Sequence, residues 1–372
     1  MKCDQLSGMK ILYDHQMFSR AKFGGIPKYF CELIKNLPEH YDAEIAVLFS
    51  NNQHLKDNYQ FFKKPYLPIP SQESRLRGHL RAKTYSINQF YSTQKIRQKK
   101  YDLFHPTYFD PYFLKVIKKP FIVTVHDLIV FKFPDVLRKQ QQMAEMEKII
   151  NKAERIIAIS ENTKKDTIDI LKINPEKIDV IYHGFNRFDG KPGENPYGRY
   201  ILFVGARLGY KNFRSLALAF KKLIEKDPVL KLICVGNAFT PFEVEELRRL
   251  NIFDNVLQMG VNEQKLNELY FHALSFINPS LYEGFGMSLL EAFSNNCPVC
   301  LSNSSCFPEI AADAGIYFDP YDSDSIYETI AKVIYDNEFS NRLRQAGQRR
   351  LLSFSWKKCA METALSYKKV FN

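Results

Sequence analysis

The chain has 372 residues, with 45% hydrophobic residues, 25% charged residues and a formal net charge of +11. That length suggests two domains and a core large enough to dispense with disulfide staples. The composition excludes a disordered or collagen-like chain, and no run approaches the ~20 apolar residues of a membrane span.

The chain opens with MKCDQLSGMKILYDHQ, which has no apolar signal core, so a cytosolic protein is expected. Short β-branched runs then alternate with helical stretches. Strands are predicted at Lys10–Tyr13, Glu44–Phe49, Asp102–His105, Phe121–Val125, Arg155–Ile159 and Lys177–Ile181. Helices are predicted at Ile26–Asn36, near 76–99, at Leu137–Ala153 and at Asn162–Leu171, the last capped by Ser160. Charge is concentrated here. Residues 1–150 hold 24 Lys and Arg against 14 Asp and Glu, while residues 151–372 are nearly balanced. The excess peaks at 71–100, with eight basic residues and one acidic. Such a stretch suits an anionic membrane surface or another polyanion, and equally a solvated helix face.

Residues 186–199, NRFDGKPGENPYGR, read as a linker. The alternation then restarts. Strands are predicted at Tyr200–Val204, Lys231–Val235, Val256–Met259, Leu274–Pro279, Pro298–Leu301 and Ile316–Phe318. Helices are predicted at Phe213–Lys226, Pro241–Leu250, Glu263–Ala273, Gly286–Asn295 and Ser323–Asp336. The result is an α/β chain of two doubly wound domains. In such sheets, ligands bind beyond the carboxyl ends of the strands. Two such domains face to face would place the site in the cleft between them.

Four segments carry chemistry. Gly24-Gly25-Ile26 precedes a helix, where bare backbone and free N–H groups suit an anion; a plain turn is the alternative. Arg207 and Lys211, in VGARLGYKN at the end of a strand, suit a diphosphate, or are simply exposed loop cations. In SLYEGFGMSLLE, Gly284 and Gly286 shape a turn that leaves the amides of Met287, Ser288 and Leu289 free for oxygens. Glu283 and Glu291 flank that turn as hydroxyl acceptors. An acidic helix N-terminus would explain Glu283 but not Glu291. His126, after Val123-Thr124-Val125, is a polar candidate at a strand end, and His105 a weaker one on the acceptor side. Asp322-Ser323-Asp324 reads as a helix cap, so no metal site is assigned. Seven scattered cysteines, including Cys297-Pro-Val-Cys300, read as reduced core thiols because a zinc site wants a second pair.

Taken together, these segments resemble the retaining glycosyltransferases of family GT4. The similarity spans nearly the whole chain and is most specific at 280–320, with an E-x7-E signature and downstream Pro-Val, Pro-Glu and Asp-Pro landmarks. The subgroup it most resembles builds O-antigen and capsule, often as mannosyltransferases. The resemblance implies the GT-B fold, two doubly wound Rossmann-like domains facing across a cleft. Residues 1–185 would bind the acceptor and 200–352 the nucleotide-sugar donor, with a final segment, 353–372, crossing back as a helix. It also implies roles. Arg207 and Lys211 would hold the donor diphosphate, and Gly25 would approach it from the other domain. Glu283 would contact sugar hydroxyls and Glu291 the ribose. The amides of Met287, Ser288 and Leu289, after Gly286, would support phosphate and sugar. The backbone near Val261 would meet the base, and His126 the sugar near the reacting carbon. Asn296-Cys297 and His183-Gly184-Phe185 depart from the usual pattern, away from this chemistry.

The expected reaction is transfer of a hexose, mannose first, from a nucleotide sugar such as GDP-mannose to an oligosaccharide or lipid-linked acceptor. No cofactor is expected, since Arg207 and Lys211 supply the positive charge. A nucleotide-sugar epimerase on the same scaffold is the alternative. Nucleic-acid binding is not expected, because no RNA or DNA motif accompanies the charge.

Overall fold

The structure, a computed structural model, describes residues 8–58, 60, 67, 77–137, 139–188, 190, 192–207 and 209–371, without side-chain detail at 77–81. Cys3, Leu208 and the 71–76 part of the basic stretch lie outside the described residues. The chain divides into two units. Unit 1 comprises Met1–Pro134, Arg138–Gly184 and Ser355–Asn372; unit 2 comprises Phe185–Phe354 and the three residues Asp135–Leu137.

Unit 1 holds β1 (Lys10–Tyr13), β2 (Asp42–Ile45), β3 (Leu103–His105), β4 (Ile122–Val125), β5 (Arg155–Ala158) and β6 (Ile178–Val180). They pair in parallel in the orders β2-β1-β3 and β4-β5-β6, with a parallel bridge between Phe104 and Phe121. Unit 2 holds β7 (Tyr200–Val204), β8 (Lys231–Val235), β9 (Val256–Met259), β10 (Phe276–Asn278), β11 (Val299–Ser302) and β12 (Gly315–Phe318). Their order is β12-β11-β10-β7-β8-β9, all parallel. The strand order therefore reverses between β7 and β10, the point at which a doubly wound sheet opens a crevice.

One strand differs from its sequence prediction. The apolar run Glu44–Phe49 pairs with β1 only as far as Ile45. Beyond it, the side-chain amide of buried Asn88 takes over the backbone. Its Oδ1 accepts from the amides of Leu48 and Phe49 at 3.0 and 2.9 Å, and its Nδ2 donates to the Phe49 carbonyl at 2.7 Å. Asn88 lies on the helix Arg77–Gln98, whose inward face carries Tyr85, Asn88, Ser92 and Ile96. The helix predicted at Leu137–Ala153 is two helices, Pro134–Leu137 and Gln140–Lys152.

The helix Trp356–Lys368 belongs to unit 1. Trp356, Cys359, Ala360, Ala364 and Tyr367 join the apolar cluster of Tyr13, Tyr29, Phe30 and Ile122. Gly184 permits the approach: a Cβ there would lie 2.1 Å from the Trp356 nitrogen. A polar chain completes the contact. The Tyr367 hydroxyl lies 2.8 Å from both the Tyr13 hydroxyl and His105 Nδ1, and His105 Nε2 lies 2.9 Å from Thr124 Oγ1. At the rim, Asp179 accepts from Ser366, Lys369 and Arg155. This corrects the reading of His105 as an acceptor-side residue. It is fully buried and satisfied by core hydroxyls.

Two predictions follow from this packing. Burial pushes His15 and His105 down to about 3 and His183 well below its ordinary value. These histidines take up protons in the unfolded chain below about pH 6.5 but stay neutral in the folded one. Their stabilisation is complete above that pH and is lost as pH falls. At about pH 5, His15 and His105 should each cost about 2 kcal/mol, so unit 1 should melt well before unit 2 in calorimetric scans. Gly184→Ala should lower the melting temperature of unit 1 by forcing Trp356 away, at a cost of about 1–3 kcal/mol.

Candidate functional site

At the carboxyl end of β7 the chain turns through Gly205, whose φ of +135° suits glycine, to Arg207 and the turn Gly209–Lys211. Asn212 follows in the left-handed region, its Nδ2 fixed on the Pro320 carbonyl at 2.6 Å, and opens the helix Phe213–Lys226. Across the strand reversal, β10 ends in Asn278, and the loop to the next helix holds Ser280 and Glu283. The two loops are stitched together: the Leu281 amide donates to the Tyr210 carbonyl at 2.8 Å, and Lys211 Nζ donates to Glu283 Oε1 at 2.6 Å. Ser280 Oγ lies 2.6 Å from Asn278 Oδ1 and 2.9 Å from the same Glu283 oxygen, so its one proton serves either. Behind, the Glu283 amide donates to Ser305 Oγ, which donates in turn to the Glu283 carbonyl at 2.6 Å.

Arg207 is held differently. Its side chain is only 4% exposed, with Nε on Glu243 Oε1 at 2.7 Å. Nη2 donates to the carbonyls of Asn237 and Ala238. The structure thus places Arg207 and Lys211 at the same strand end, each already facing a carboxylate.

Gly286 has φ +86°, and a Cβ there would meet Phe307 at 3.3 Å, so glycine is required before the helix Met287–Ser294. The Leu289 amide donates to the Gly286 carbonyl at 2.9 Å. That corrects one expectation: of the three amides read as free, Leu289 is already engaged, because the first turn tightens around the glycine. Met287 and Ser288 occupy the first two helical positions. Glu291, one turn on, receives the hydroxyl of buried Tyr270 on Oε2 at 3.1 Å. Val261 follows β9, just before Asn262, which caps the helix Glu263–His272. The ends of β7, β8 and β9 are linked by Gly205 donating to Val235 and Gly236 to Met259, so Val261 and Arg207 share one edge of the sheet.

In unit 1, Gly25 begins the helix Gly25–Asn36, exposed, with nothing within 4 Å of the position a Cβ would take. His126 follows β4. Its ring is edge-on to Tyr29 at 5.1 Å and 5.7 Å from the ring of His183, and its Nε2 is buried without a hydrogen-bond partner. Burial pushes it down to about 3, so the ring is neutral at ordinary pH and is no ready proton acceptor.

Three features escape the sequence reading. Glu243 is marked only as the end of a Thr-x-x-Glu helix cap and Tyr270 by no motif, so neither was tied to the site. The third is Asp14-His15-Gln16, directly after β1. Asp14 is buried and accepts from the Thr107 amide and hydroxyl at 2.9 and 2.6 Å and from Gln16 Nε2 at 2.7 Å. Three polar residues closing an apolar strand were the available signal. Elsewhere Asp322 caps the helix Ser323–Tyr335, accepting from the Asp324 amide at 2.8 Å. The six described cysteines are buried, and burial pushes Cys297 and Cys300 up to about 12.

The profile of the family Glycosyl transferases group 1 matches residues 185–350, and that of Glycosyltransferase Family 4 matches residues 23–187. The chain is 26% identical to the O-antigen chain mannosyltransferase B of Escherichia coli, over 97% of this chain and all of that one. It is 28% identical to the O-antigen chain mannosyltransferase RfbU of Salmonella typhimurium, over 57% of this chain and 60% of that one. Among solved structures, sucrose-phosphate synthase of Thermosynechococcus elongatus aligns at TM-score 0.73 and 19% identity, covering 98% and 99% of the two chains. HepE of Anabaena, in complex with UDP and glucose, aligns at 0.72 and 18%, covering 97% and 100%.

The local geometry yields one stability prediction. Gly286→Ala should destabilise unit 2 by about 1–3 kcal/mol, combining positive-φ strain with the Phe307 contact, and would show as a lower melting temperature of that unit alone.

Proposed function

Because the chain belongs to the GT4 glycosyltransferases and has the GT-B fold of two Rossmann-like domains, we propose that it builds a surface polysaccharide by moving mannose from a nucleoside diphosphate sugar, GDP-mannose first, to an acceptor hydroxyl. The observation that carries this reading is the Lys211–Glu283 pair at the strand reversal of unit 2. A diphosphate takes Lys211 from Glu283, which frees the carboxylate to accept hydrogen bonds from sugar hydroxyls. Substrate entry therefore exchanges one ion pair for two charge-assisted contacts.

As the glycosidic bond breaks, negative charge grows on the leaving diphosphate and positive charge on the sugar ring. Lys211 and Arg207 lower the energy of the first, which is usually the largest catalytic term available. The amides of Met287 and Ser288 at a helix N-terminus add to it. Glu291, oriented by Tyr270, takes the ribose hydroxyls, and the backbone near Val261 takes the base. Attack comes from the face the diphosphate leaves, with the departing phosphate oxygen accepting the acceptor's proton, so configuration is retained. His126 serves as a neutral hydrogen-bond partner to the sugar, and Gly25 lets backbone approach the phosphates. No metal is assigned a part.

Relatives that act on O-antigen chains support a lipid-linked acceptor. No described helix is long and apolar enough to cross a membrane. We assign docking to the inner membrane face to the helix Arg77–Gln98, whose outer side shows Ile87 46% and Phe90 66% exposed beside exposed Lys83 and Arg97. Tyr85 and Asn88 turn inward instead.

Lys211→Ala and Glu283→Gln should each cut kcat/KM about 10²-fold or more with folding intact. The assay pairs a panel of nucleoside diphosphate sugars with an oligosaccharide acceptor; normal turnover in both variants overturns the roles. Donor incubated without acceptor should return unepimerised sugar. The double variant Ile87→Ser, Phe90→Ser should lose binding to anionic vesicles at an unchanged melting temperature; retained binding rejects docking through this helix.

A further inference from the structure

Arg207 is tied down more completely than a loop cation needs to be. Nε donates to Glu243 Oε1 at 2.7 Å, and Nη2 donates to the Asn237 and Ala238 carbonyls at 2.8 and 3.0 Å. The guanidinium carbon lies 4.5 Å from the centre of the Phe239 ring. Nη1 alone is buried with no hydrogen-bond partner. Leaving a buried charged donor unmade is costly unless something else completes it.

Beside Nη1 lies a glycine. Gly236, at φ +154°, has no Cβ; one built there would sit 3.7 Å from Nη1 and 2.6 Å from the Gly205 carbonyl oxygen. The clash with the Gly205 carbonyl requires glycine here, and its lack of a side chain leaves Nη1 facing backbone alone on this side.

Glu243 occupies the third position of the helix Pro241–Arg249 and has two separate tasks. Oε2 accepts from the Thr240 amide at 2.7 Å while Thr240 Oγ1 accepts from the Glu243 amide, a reciprocal cap. Oε1 faces Arg207. Burial alone would raise this carboxyl, but the bonds from Arg207 and Thr240 outweigh it and hold it below its ordinary range. The bonds thus favour its anionic form.

We propose that Glu243 is a positioning residue for donor binding: with the Asn237 and Ala238 carbonyls it holds two nitrogens of Arg207 and aims the third, Nη1, at an oxygen of the nucleoside diphosphate. This rests on the reading that Arg207 meets the diphosphate. It adds that the helix after β8, which carries no recognised donor contact, sets the geometry of that meeting. A capping carboxylate thereby links a local folding signal to substrate affinity.

GDP and UDP titrated calorimetrically into the full chain test this, alongside melting temperatures. Arg207→Gln should weaken diphosphate binding about tenfold or more, and Glu243→Ala should do the same. Glu243→Asp keeps a charge at the helix N-terminus but is one methylene short of Arg207, so it should lose affinity too while remaining folded. Glu243→Gln, which keeps an oxygen for Nε, should recover most of the affinity. Thr240→Ala breaks the cap and should lower the melting temperature without moving affinity. If Arg207→Gln binds normally, the diphosphate reading of Arg207 fails and the inference with it. If Arg207→Gln is impaired but Glu243→Ala and Glu243→Asp bind normally, only the inference fails. Equal weakening by Thr240→Ala would assign the effect to the cap and also overturn it.

Discussion

One carboxylate oxygen, Oε1 of Glu283, ties together the two loops on either side of the strand reversal in unit 2. The loops after β7 and β10 lead away to different helices, and the sheet's own ladder ends beneath them. What keeps their tips together is Lys211 reaching across to that oxygen and the Leu281 amide pairing to the Tyr210 carbonyl, while Ser280, in the same loop as Glu283, steadies the carboxylate. The pair is partly buried, about one-sixth exposed on the carboxylate side. Screening by solvent is therefore incomplete, so the attraction between the two groups is weakened less than at an open surface. Gly286, Met287 and Glu291 all follow on from the Glu283 loop and take their places from it.

Unit 1 solves a different problem. Its core is polar along one seam, where Tyr13, Tyr29, His105, Thr124 and Tyr367 pass hydrogen bonds among buried hydroxyls and imidazoles. Such a seam specifies one arrangement when every member is satisfied. It also keeps imidazoles neutral. His126 inherits that environment at the end of β4, so its usefulness lies in a directed N–H or lone pair rather than in proton transfer.

Much of this was legible in the primary structure. The alternation of strands and helices marks the parallel strands of both units, and several elements, such as Lys10–Tyr13, Phe213–Lys226 and Lys231–Val235, fall where periodicity put them. The Gly-rich turn before Met287 and the basic residues after β7 were visible because backbone freedom and charge leave local marks. What stayed hidden depends on distant partners. Asn88 displaces a strand from 40 residues away, and nothing in IAVLFS says so. The helix Asn337–Leu351 is thick with Arg, Asn and Gln, which masks the apolar stripe of Leu343, Ala346 and Leu351. Glu243 looks like an ordinary capping residue until the fold brings Arg207 against it, and the engagement of the Leu289 amide follows from a turn geometry that no residue type dictates.

The helix Trp356–Lys368 has a consequence for biosynthesis. Unit 1 is left unfinished when its strands emerge from the ribosome, because Tyr367 and Trp356 come only after residues 185–354 have been made. At roughly 5–20 residues per second, that interval is on the order of ten to thirty seconds. Throughout it, the faces of Tyr13, Tyr29 and Phe30 that the helix will cover stand open, while the later unit is able to close first. The nascent chain thus matures out of order, and its earliest-made half is the one most in need of a chaperone's shelter.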